Sequence, residues 1–149
     1  MLGSFHKGEG EQYPLRKAYI RFFANYIQEH YNVKWEVCKH LVKTYGARAF
    51  DIIKIAKDDK SLLERFHKKL PMVKAEIIYQ IRYEMAMKPN DILFRRTRIG
   101  TLDHHAMFEV LPAVVDIFAK EMQWDESRKE EEQSKTIEEM MHIMKIETD

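Results

Sequence analysis

The sequence predicts an all-α protein that forms a single compact bundle of about six to seven helices. Apolar residues recur at three- and four-residue spacing along most of the chain, which is the spacing of one helix face. Only five glycines and four prolines occur in 149 residues, so strands joined by tight turns are hard to place. The chain is 45% hydrophobic and 33% charged, which suits one domain with a full hydrophobic core.

The first three helices are recognised by their ends and their faces. We expect the first helix to begin after Pro14 and to carry an aromatic face, because proline is favoured at helix starts. A second helix over residues 34–45 is expected to end at Gly46, since glycine readily takes the left-handed conformation that closes a helix. The third helix, over residues 47–57, is apolar around most of its circumference and is expected to be buried.

The rest of the chain predicts a loop and four further helices, one of them short. Residues 58–70 are polar and are expected to form a loop with one helical turn at most. We expect Asp91 to cap the short helix and Pro112 to bend the long helix that contains it. The expected boundaries of the four helices are 72–87, a short segment after Asp91, 103–122 and 125–146.

The two ends of the chain differ from its middle in composition. Three of the five glycines lie in the first ten residues, beside Ser4 and Lys7. We therefore expect residues 1–12 to be a flexible leader, either natural or added during cloning, and residues 13–149 to be the helical domain. The last 25 residues carry nine acidic and four basic side chains, although the whole chain has a formal net charge of +1. Such an acidic tail does not indicate nucleic-acid binding.

Simple counts exclude several classes of protein. The single cysteine, Cys38, rules out an internal disulfide framework. The N-terminal residues lack the apolar segment of a secretory signal. No charge-free apolar run approaches the roughly 20 residues that a membrane-spanning helix needs. We therefore expect the chain to be soluble.

The common motifs that hold cofactors or metals are missing from the sequence. Neither G-x-G-x-x-G nor G-x-x-x-x-G-K occurs, so no cradle for a dinucleotide or a triphosphate is expected. His104 and His105 have one carboxylate, Glu109, as a partner on the same predicted helix face, whereas zinc takes three or four ligands. We expect no catalytic, cofactor-binding or metal-binding residue in this chain.

The most distinctive stretch is residues 91–98, which read Asp-Ile-Leu-Phe-Arg-Arg-Thr-Arg. Arg95, Arg96 and Arg98 form an arginine cluster that fits either an anion site or a structural ion-pair network, because guanidinium groups bind phosphates and carboxylates alike. We favour the network, since partly buried cations need acidic partners; it leaves at most one arginine for a ligand or a neighbouring domain. The acidic residues available to it are Glu76, Glu84 and Asp91.

Residues 37–56 have the spacing of a helix-turn-helix, whose second helix would enter a DNA groove. That helix offers only Arg48, Lys54 and Lys57 as basic groups and is apolar on most sides. A groove-reading helix must expose a polar face, so we interpret the segment as bundle core. No nucleic-acid partner is expected.

A series of residues in fixed order extends the 91–98 motif in both directions. Its members are His40-Leu41, Tyr45-Gly46, Ala49-Phe50, Pro71, Ala75-Glu76, Tyr79, Glu84, Ala106, Leu111-Pro112 and Trp124-Asp125. Together with the motif, the series closely resembles the C-terminal helical domain of FAD-dependent glycerol-3-phosphate dehydrogenases of the aerobic or mitochondrial type, and of the related alpha-glycerophosphate oxidases. The resemblance covers residues 13–140.

The resemblance implies that this chain is part of a larger enzyme. In that family, FAD and glycerol 3-phosphate occupy an N-terminal domain that opens with a dinucleotide-binding fingerprint, which this sequence lacks. The parent enzyme would transfer a hydride from C2 of glycerol 3-phosphate to FAD, giving dihydroxyacetone phosphate, and would pass electrons to quinone, or to oxygen in the oxidases. It would be peripheral on the bacterial cytoplasmic membrane or the mitochondrial inner membrane, and this chain would meet the membrane only through it.

We interpret the chain as a helical accessory domain that packs on the N-terminal FAD-binding domain, binds no cofactor and catalyses nothing alone. Oligomer formation and the electron acceptor are left open. The alternative is a free-standing helical module that binds phosphate-bearing ligands or nucleic acid through the arginine cluster. The residues expected to form the structural or anion-contact motif are Glu76, Tyr79, Glu84, Asp91, Arg95, Arg96 and Arg98.

Overall fold

The computed structural model describes residues 9–148, with side chains for residues 15–145. This part of the chain contains seven α-helices and no β-strand, which confirms the predicted all-α class. Two 3-10 turns, Gly46–Arg48 and Lys60–Leu63, and a π-helix, Asp91–Arg96, lie between the α-helices. The α-helices are α1 (Glu9–Tyr31), α2 (Trp35–Tyr45), α3 (Ala49–Ile55), α4 (Lys74–Tyr83), α5 (Ile99–Leu102), α6 (His104–Met122) and α7 (Glu126–Thr148).

The contacts divide the chain into two compact units, and the boundary falls between Ile53 and Lys54, inside α3. In the first unit α1 packs against α2. The interface buries apolar side chains, and aromatic rings of α1 and α3 pack edge to face, with 5.9 Å between the ring centroids of Phe23 and Phe50. The buried apolar side chains of α1 and α2 are Ala24, Ile27, Val37, Cys38, Leu41 and Val42.

Helix α1 begins earlier than the sequence predicts. We expected its start after Pro14, but it begins at Glu9, so Pro14 lies in the second turn. A proline at that position removes one backbone hydrogen bond, and α1 continues through it for 17 more residues. Part of the predicted leader, residues 9–12, is therefore helical; residues 1–8 lie outside the described part of the chain. Helix α2 ends at the expected place, and Gly46 has a positive φ of +59°, but its ψ of −129° lies outside the left-handed helical conformation that we expect there.

The second unit is built around α4, α6 and α7. Helix α6 packs against both α4 and α7. Two peripheral ion pairs link α6 to these neighbours. Arg82 of α4 pairs with Glu121 of α6, and Lys129 of α7 pairs with Asp116 of α6. The largest fully buried apolar side chains of this core are Ile77, Ile92, Leu93, Met107, Leu111, Phe118 and Met140.

Helix α6 has the ends that its sequence suggests. Asp103 caps it by accepting a hydrogen bond from the backbone N–H of Ala106 at 3.0 Å. Pro112 lies inside the helix, as expected. The helix ends at Met122, and the next residue, Gln123, has a φ of +55° and donates its backbone N–H to the carbonyl of Ala119.

The segment between α4 and α6 departs from the predicted boundaries. Helix α4 ends at Tyr83, four residues earlier than expected. Met85 then takes a φ of +56°, and the backbone N–H of Ala86 bonds to the carbonyl of Gln80. The short helix expected after Asp91 is a π-helix. Only glycine adopts positive φ without cost, so the turn at Met85, two residues beyond the end of α4, carries no sequence signal.

Candidate functional site at the arginine cluster

The π-helix positions the arginine cluster. Its wide turn is closed by the backbone N–H of Thr97, which donates to the carbonyl of Ile92 at 2.9 Å. The Thr97 hydroxyl donates to the same carbonyl, also at 2.9 Å. Ile92 and Leu93 are fully buried, whereas Arg95 and Arg96 are on the exposed side. The apolar pair therefore anchors the segment in the core and directs the two arginines outward.

Arg96 ties the π-helix to the end of α4. Its guanidinium forms an ion pair with the carboxylate of Glu84 and donates a second hydrogen bond, from Nη2, to the backbone carbonyl of Glu84 at 2.8 Å. The exposed fractions of the two side chains are 31% and 23%. Because Arg96 satisfies both a carboxylate and a helix-terminal carbonyl, it fixes the course of the chain just beyond α4.

Asp91 holds the loop that precedes it. Its Oδ2 accepts hydrogen bonds from the backbone N–H groups of Met87, at 2.9 Å, and Lys88, at 3.2 Å. We expected Asp91 to cap the short helix after it, but it is the first residue of that helix and bonds backward. Arg95 lies 3.5 Å from its other oxygen, and the Arg95 side chain is 79% exposed. That ion pair is therefore a weak one.

Glu76 and Tyr79 lie on the buried side of α4. The Glu76 carboxylate is only 1% exposed, and its Oε2 accepts a hydrogen bond from the backbone N–H of Val73 at 2.7 Å. This is one half of a capping box, since valine has no side-chain oxygen to return the bond. Tyr79 is buried, and its ring packs at 5.2 Å on that of Tyr83. Glu76 thus serves the start of α4, at the opposite end from Arg96.

Arg98 has a different place from the other two arginines. Its backbone is left-handed, with a φ of +56°, and its carbonyl accepts from the backbone N–H groups of Thr101 and Leu102 at the start of α5. Its side chain is exposed. No carboxylate of a described residue lies within ion-pair distance of its guanidinium. Arg95 and Arg98 are therefore the members of the cluster that face solvent.

A second polar cluster, around His67, was not predicted. His67 is buried, and its Nδ1 accepts a hydrogen bond from the backbone N–H of Lys69 at 3.2 Å. This acceptor role leaves the proton on Nε2, which lies 2.9 Å from Oε2 of Glu109. In the sequence, Glu109 is the one carboxylate on the predicted helix face of His104 and His105, but in the structure it contacts His67. No periodic pattern marks residues 58–70, so nothing in the sequence pairs positions 67 and 109.

Asp103 and Lys69 form an ion pair beside this cluster. The hydrogen bond from the backbone of Ala106 and the neighbouring Lys69 ammonium hold the pKa of Asp103 below its usual value. The same contact with Asp103 raises the pKa of Lys69. Both groups therefore stay charged at neutral pH and join the start of α6 to the loop before α4.

Among the described residues we find neither a cluster of metal ligands nor a glycine turn of the kind that holds FAD. No group of three or more His, Cys, Asp or Glu side chains among them has metal-binding geometry. Gly100 lies in the four-residue helix α5 against the ring of Phe94, and Gly46 opens a 3-10 turn. Neither glycine belongs to a strand-to-helix turn of the kind that holds the diphosphate of FAD. In the same part of the chain, no helix is both long and apolar enough to cross a membrane.

Comparison with known proteins shows which family this chain belongs to. Residues 10–129 match the model of the C-terminal domain of alpha-glycerophosphate oxidase. The chain is 36% identical over 135 residues to the mitochondrial glycerol-3-phosphate dehydrogenase of Rattus norvegicus and 35% identical over 135 residues to that of Bos taurus. Each match covers 88% of this chain and 18% of the relative.

A more distant relative shows the same pattern of coverage. The probable mitochondrial glycerol-3-phosphate dehydrogenase of Dictyostelium discoideum is 32% identical over 117 residues, covering 76% of this chain and 18% of the relative. This chain therefore spans less than a fifth of the length of these relatives. No solved structure gives a significant match.

Proposed function

Because the chain belongs to the family of the C-terminal domain of alpha-glycerophosphate oxidase, we propose that it is the helical accessory domain of an FAD-dependent glycerol-3-phosphate dehydrogenase. The single observation that carries this proposal is the match of residues 10–129 to that domain. The curated relatives support it, since each matches this chain over only 18% of its own length. The domain packs on the flavin-binding part of the enzyme.

The complete enzyme oxidises sn-glycerol 3-phosphate to dihydroxyacetone phosphate. FAD would supply the redox chemistry as the hydride acceptor, with quinone or oxygen as the final electron acceptor. The rest of the enzyme holds the flavin. The enzyme is peripheral on the inner mitochondrial membrane or on a bacterial cytoplasmic membrane, and this domain meets lipid only through it.

Within the domain, the arginine cluster has a structural task. Arg96 fastens the π-helix to the end of α4 through Glu84, and Asp91 fastens the loop between them. This use of the most distinctive motif supports an accessory role. It also speaks against the free-standing anion-binding module, to which the comparisons give no support.

Truncation of the complete enzyme tests the proposal. We compare the complete enzyme, a version that ends before the segment matching residue 13, and this chain alone. Glycerol 3-phosphate-dependent dye reduction reports activity, and flavin absorbance reports FAD content. We expect no turnover by the chain alone. We expect the truncated enzyme to melt at a lower temperature and to lose flavin or activity.

Two outcomes would overturn the proposal. One is turnover of glycerol 3-phosphate by this chain alone, because the flavin site would then lie within it. The other is a truncated enzyme that matches the complete one in melting temperature, FAD content and activity, because the domain would then have no packing role. The Met141→Ala variant of the complete enzyme is a suitable control, since Met141 is an exposed side chain of α7.

A further inference from the structure

An exposed apolar surface lies where α4 ends. The side chains of Tyr83, Met85 and Met87 are 66%, 82% and 63% exposed. Ala86, between the two methionines, is fully buried and belongs to the core of the second unit. The loop is therefore anchored through its backbone and Ala86, while its three largest apolar side chains project into solvent.

The loop is fixed in this conformation by several independent contacts. Met85 has a φ of +56°, which is costly for a residue with a side chain and persists only where the surroundings enforce it. Arg96 binds both the carboxylate and the carbonyl of Glu84, one residue before Met85. Asp91 binds the backbone N–H groups of Met87 and Lys88. The contacts on both sides of Met85 hold its backbone in place, so its side chain is presented to solvent from a fixed position.

The rim of this surface is cationic. Two of the acidic side chains nearby, Glu84 and Asp91, are mostly buried and are occupied by the contacts just described, and the exposed Glu139 is bonded to Asn90. Lys88 and Arg95 are exposed, and the backbone N–H of Lys88 and the guanidinium of Arg95 both contact Asp91, which also binds the backbone of Met87. The surface therefore combines an apolar centre with a positive edge. Tyrosine, methionine and arginine are also the residues enriched at protein–protein interfaces.

We propose that this surface, formed by Tyr83, Met85 and Met87 with Lys88 and Arg95 at its rim, is where the domain docks on the flavin-binding part of the same enzyme. The inference rests on the proposed function, since it names the contact face of that accessory domain. Its partner is an apolar patch with an acidic edge, because the rim has two exposed cations, Lys88 and Arg95, against one exposed carboxylate, that of Glu139, which is already bonded to Asn90. Methionine suits such a contact because it adapts to irregular surfaces.

A protein partner fits these observations better than a lipid surface. More than four fifths of the length of the relatives lies outside the segment that matches this chain, so a partner of ample size belongs to the proposed enzyme. Stable membrane binding by a peripheral segment takes a broad apolar helix face or a cluster of about four to eight basic residues. Two exposed cations beside a three-residue apolar centre fall short of that.

Cysteine labelling tests the docking surface. We introduce Met85→Cys, and separately the control Met141→Cys, into the complete enzyme and into this chain alone, each with Cys38→Ser. Peptide mass spectrometry follows the alkylation rate at each position. Both sites are exposed in the domain. We expect Met85→Cys to react at least tenfold more slowly in the complete enzyme than in the chain alone. Met141→Cys is expected to react at similar rates in both.

The remaining outcomes separate this inference from the proposed function. Protection of Met141→Cys but not of Met85→Cys would overturn the inference and keep the proposed packing. If neither site is protected from alkylation in the complete enzyme, and Leu102→Cys is not protected there either, the proposed packing itself loses its support. Protection of Met85→Cys only after vesicles of phosphatidylcholine and phosphatidylglycerol are added would make lipid the partner and overturn the inference. Concentration-dependent protection in the chain alone would make a second copy the partner, which also overturns it.

Discussion

Replacing Arg96 by alanine tests how the arginine cluster holds the domain together. Arg96 makes an ion pair and a hydrogen bond to Glu84. Exposed ion pairs contribute about 0.2–1 kcal/mol, and hydrogen bonds to charged groups about 1.5–3 kcal/mol. The side chains of Arg96 and Glu84 are 31% and 23% exposed, so their contact lies between these two cases. The variant also leaves the Glu84 carboxylate without a partner in a poorly solvated place. We expect Arg96→Ala to lower the free energy of unfolding by about 2 kcal/mol.

Urea and thermal unfolding, followed by circular dichroism, measure this change. For a chain of this size, about 2 kcal/mol corresponds to a fall of about 4–8 °C in the melting temperature. The matched control is Arg95→Ala, because the Arg95 side chain is 79% exposed and lies 3.5 Å from Asp91. We expect that control to cost less than about 0.5 kcal/mol. A double-mutant cycle with Glu84→Gln is expected to give a coupling energy of about 1 kcal/mol.

If the ion pair with Glu84 stabilises the domain, Arg96 contributes more than Arg95 to the free energy of unfolding. This role of the ion pair is refuted if Arg96→Ala unfolds within about 0.5 kcal/mol of the wild type, since the ion pair and the hydrogen bond to Glu84 together are expected to contribute about 2 kcal/mol. Equal losses from Arg95→Ala and Arg96→Ala would refute it as well, because a general charge effect would then replace the specific contact with Glu84.

Three further predictions concern other parts of the chain. Gly100→Ala is expected to destabilise the protein by about 1–3 kcal/mol, since its Cβ would lie 2.5 Å from the Phe94 ring; unchanged urea unfolding would contradict this. Burial raises the pKa of the Cys38 thiol to about 11, so we expect stability to fall as the pH rises from 9 towards 11, where the unfolded thiol ionises first, and a Cys38→Ser variant to lose less. The Ala106 backbone and Lys69 lower the pKa of Asp103, so its stabilising effect should be present above pH 3.8 and vanish as the pH falls through the lower folded value. Asp103→Asn is expected to show a shallower acid-induced fall in melting temperature than the wild type.

Much of the fold was predictable because its signals are local. Gly46 closes α2, Asp103 caps α6, and Pro112 lies within a helix whose apolar face runs on both sides of it. Each of these depends on residues within one or two turns of each other. The all-α class follows from the same helical periodicity.

The features that escaped prediction depend on distant contacts. Met85, two residues after the end of α4, takes a backbone conformation that a residue with a side chain disfavours, and Arg96, twelve residues away from Glu84, secures the chain there. His67 meets Glu109 across 42 residues. Asp91 lies close to Arg95, a member of the arginine cluster, as expected. It also binds the backbone of the loop that precedes Asp91, which was not expected. The sequence identified Glu84 and Arg96 as candidates, whereas their pairing required the folded chain.

The central claim is that this chain is the accessory domain of a flavin-dependent dehydrogenase. The most direct test is to sequence the natural transcript upstream of the codon for Tyr13. We predict an in-frame segment that encodes a G-x-G-x-x-G fingerprint, the glycine pattern that holds the diphosphate of FAD. An in-frame stop codon followed by a start codon, with no such segment between them and Tyr13, would contradict the claim.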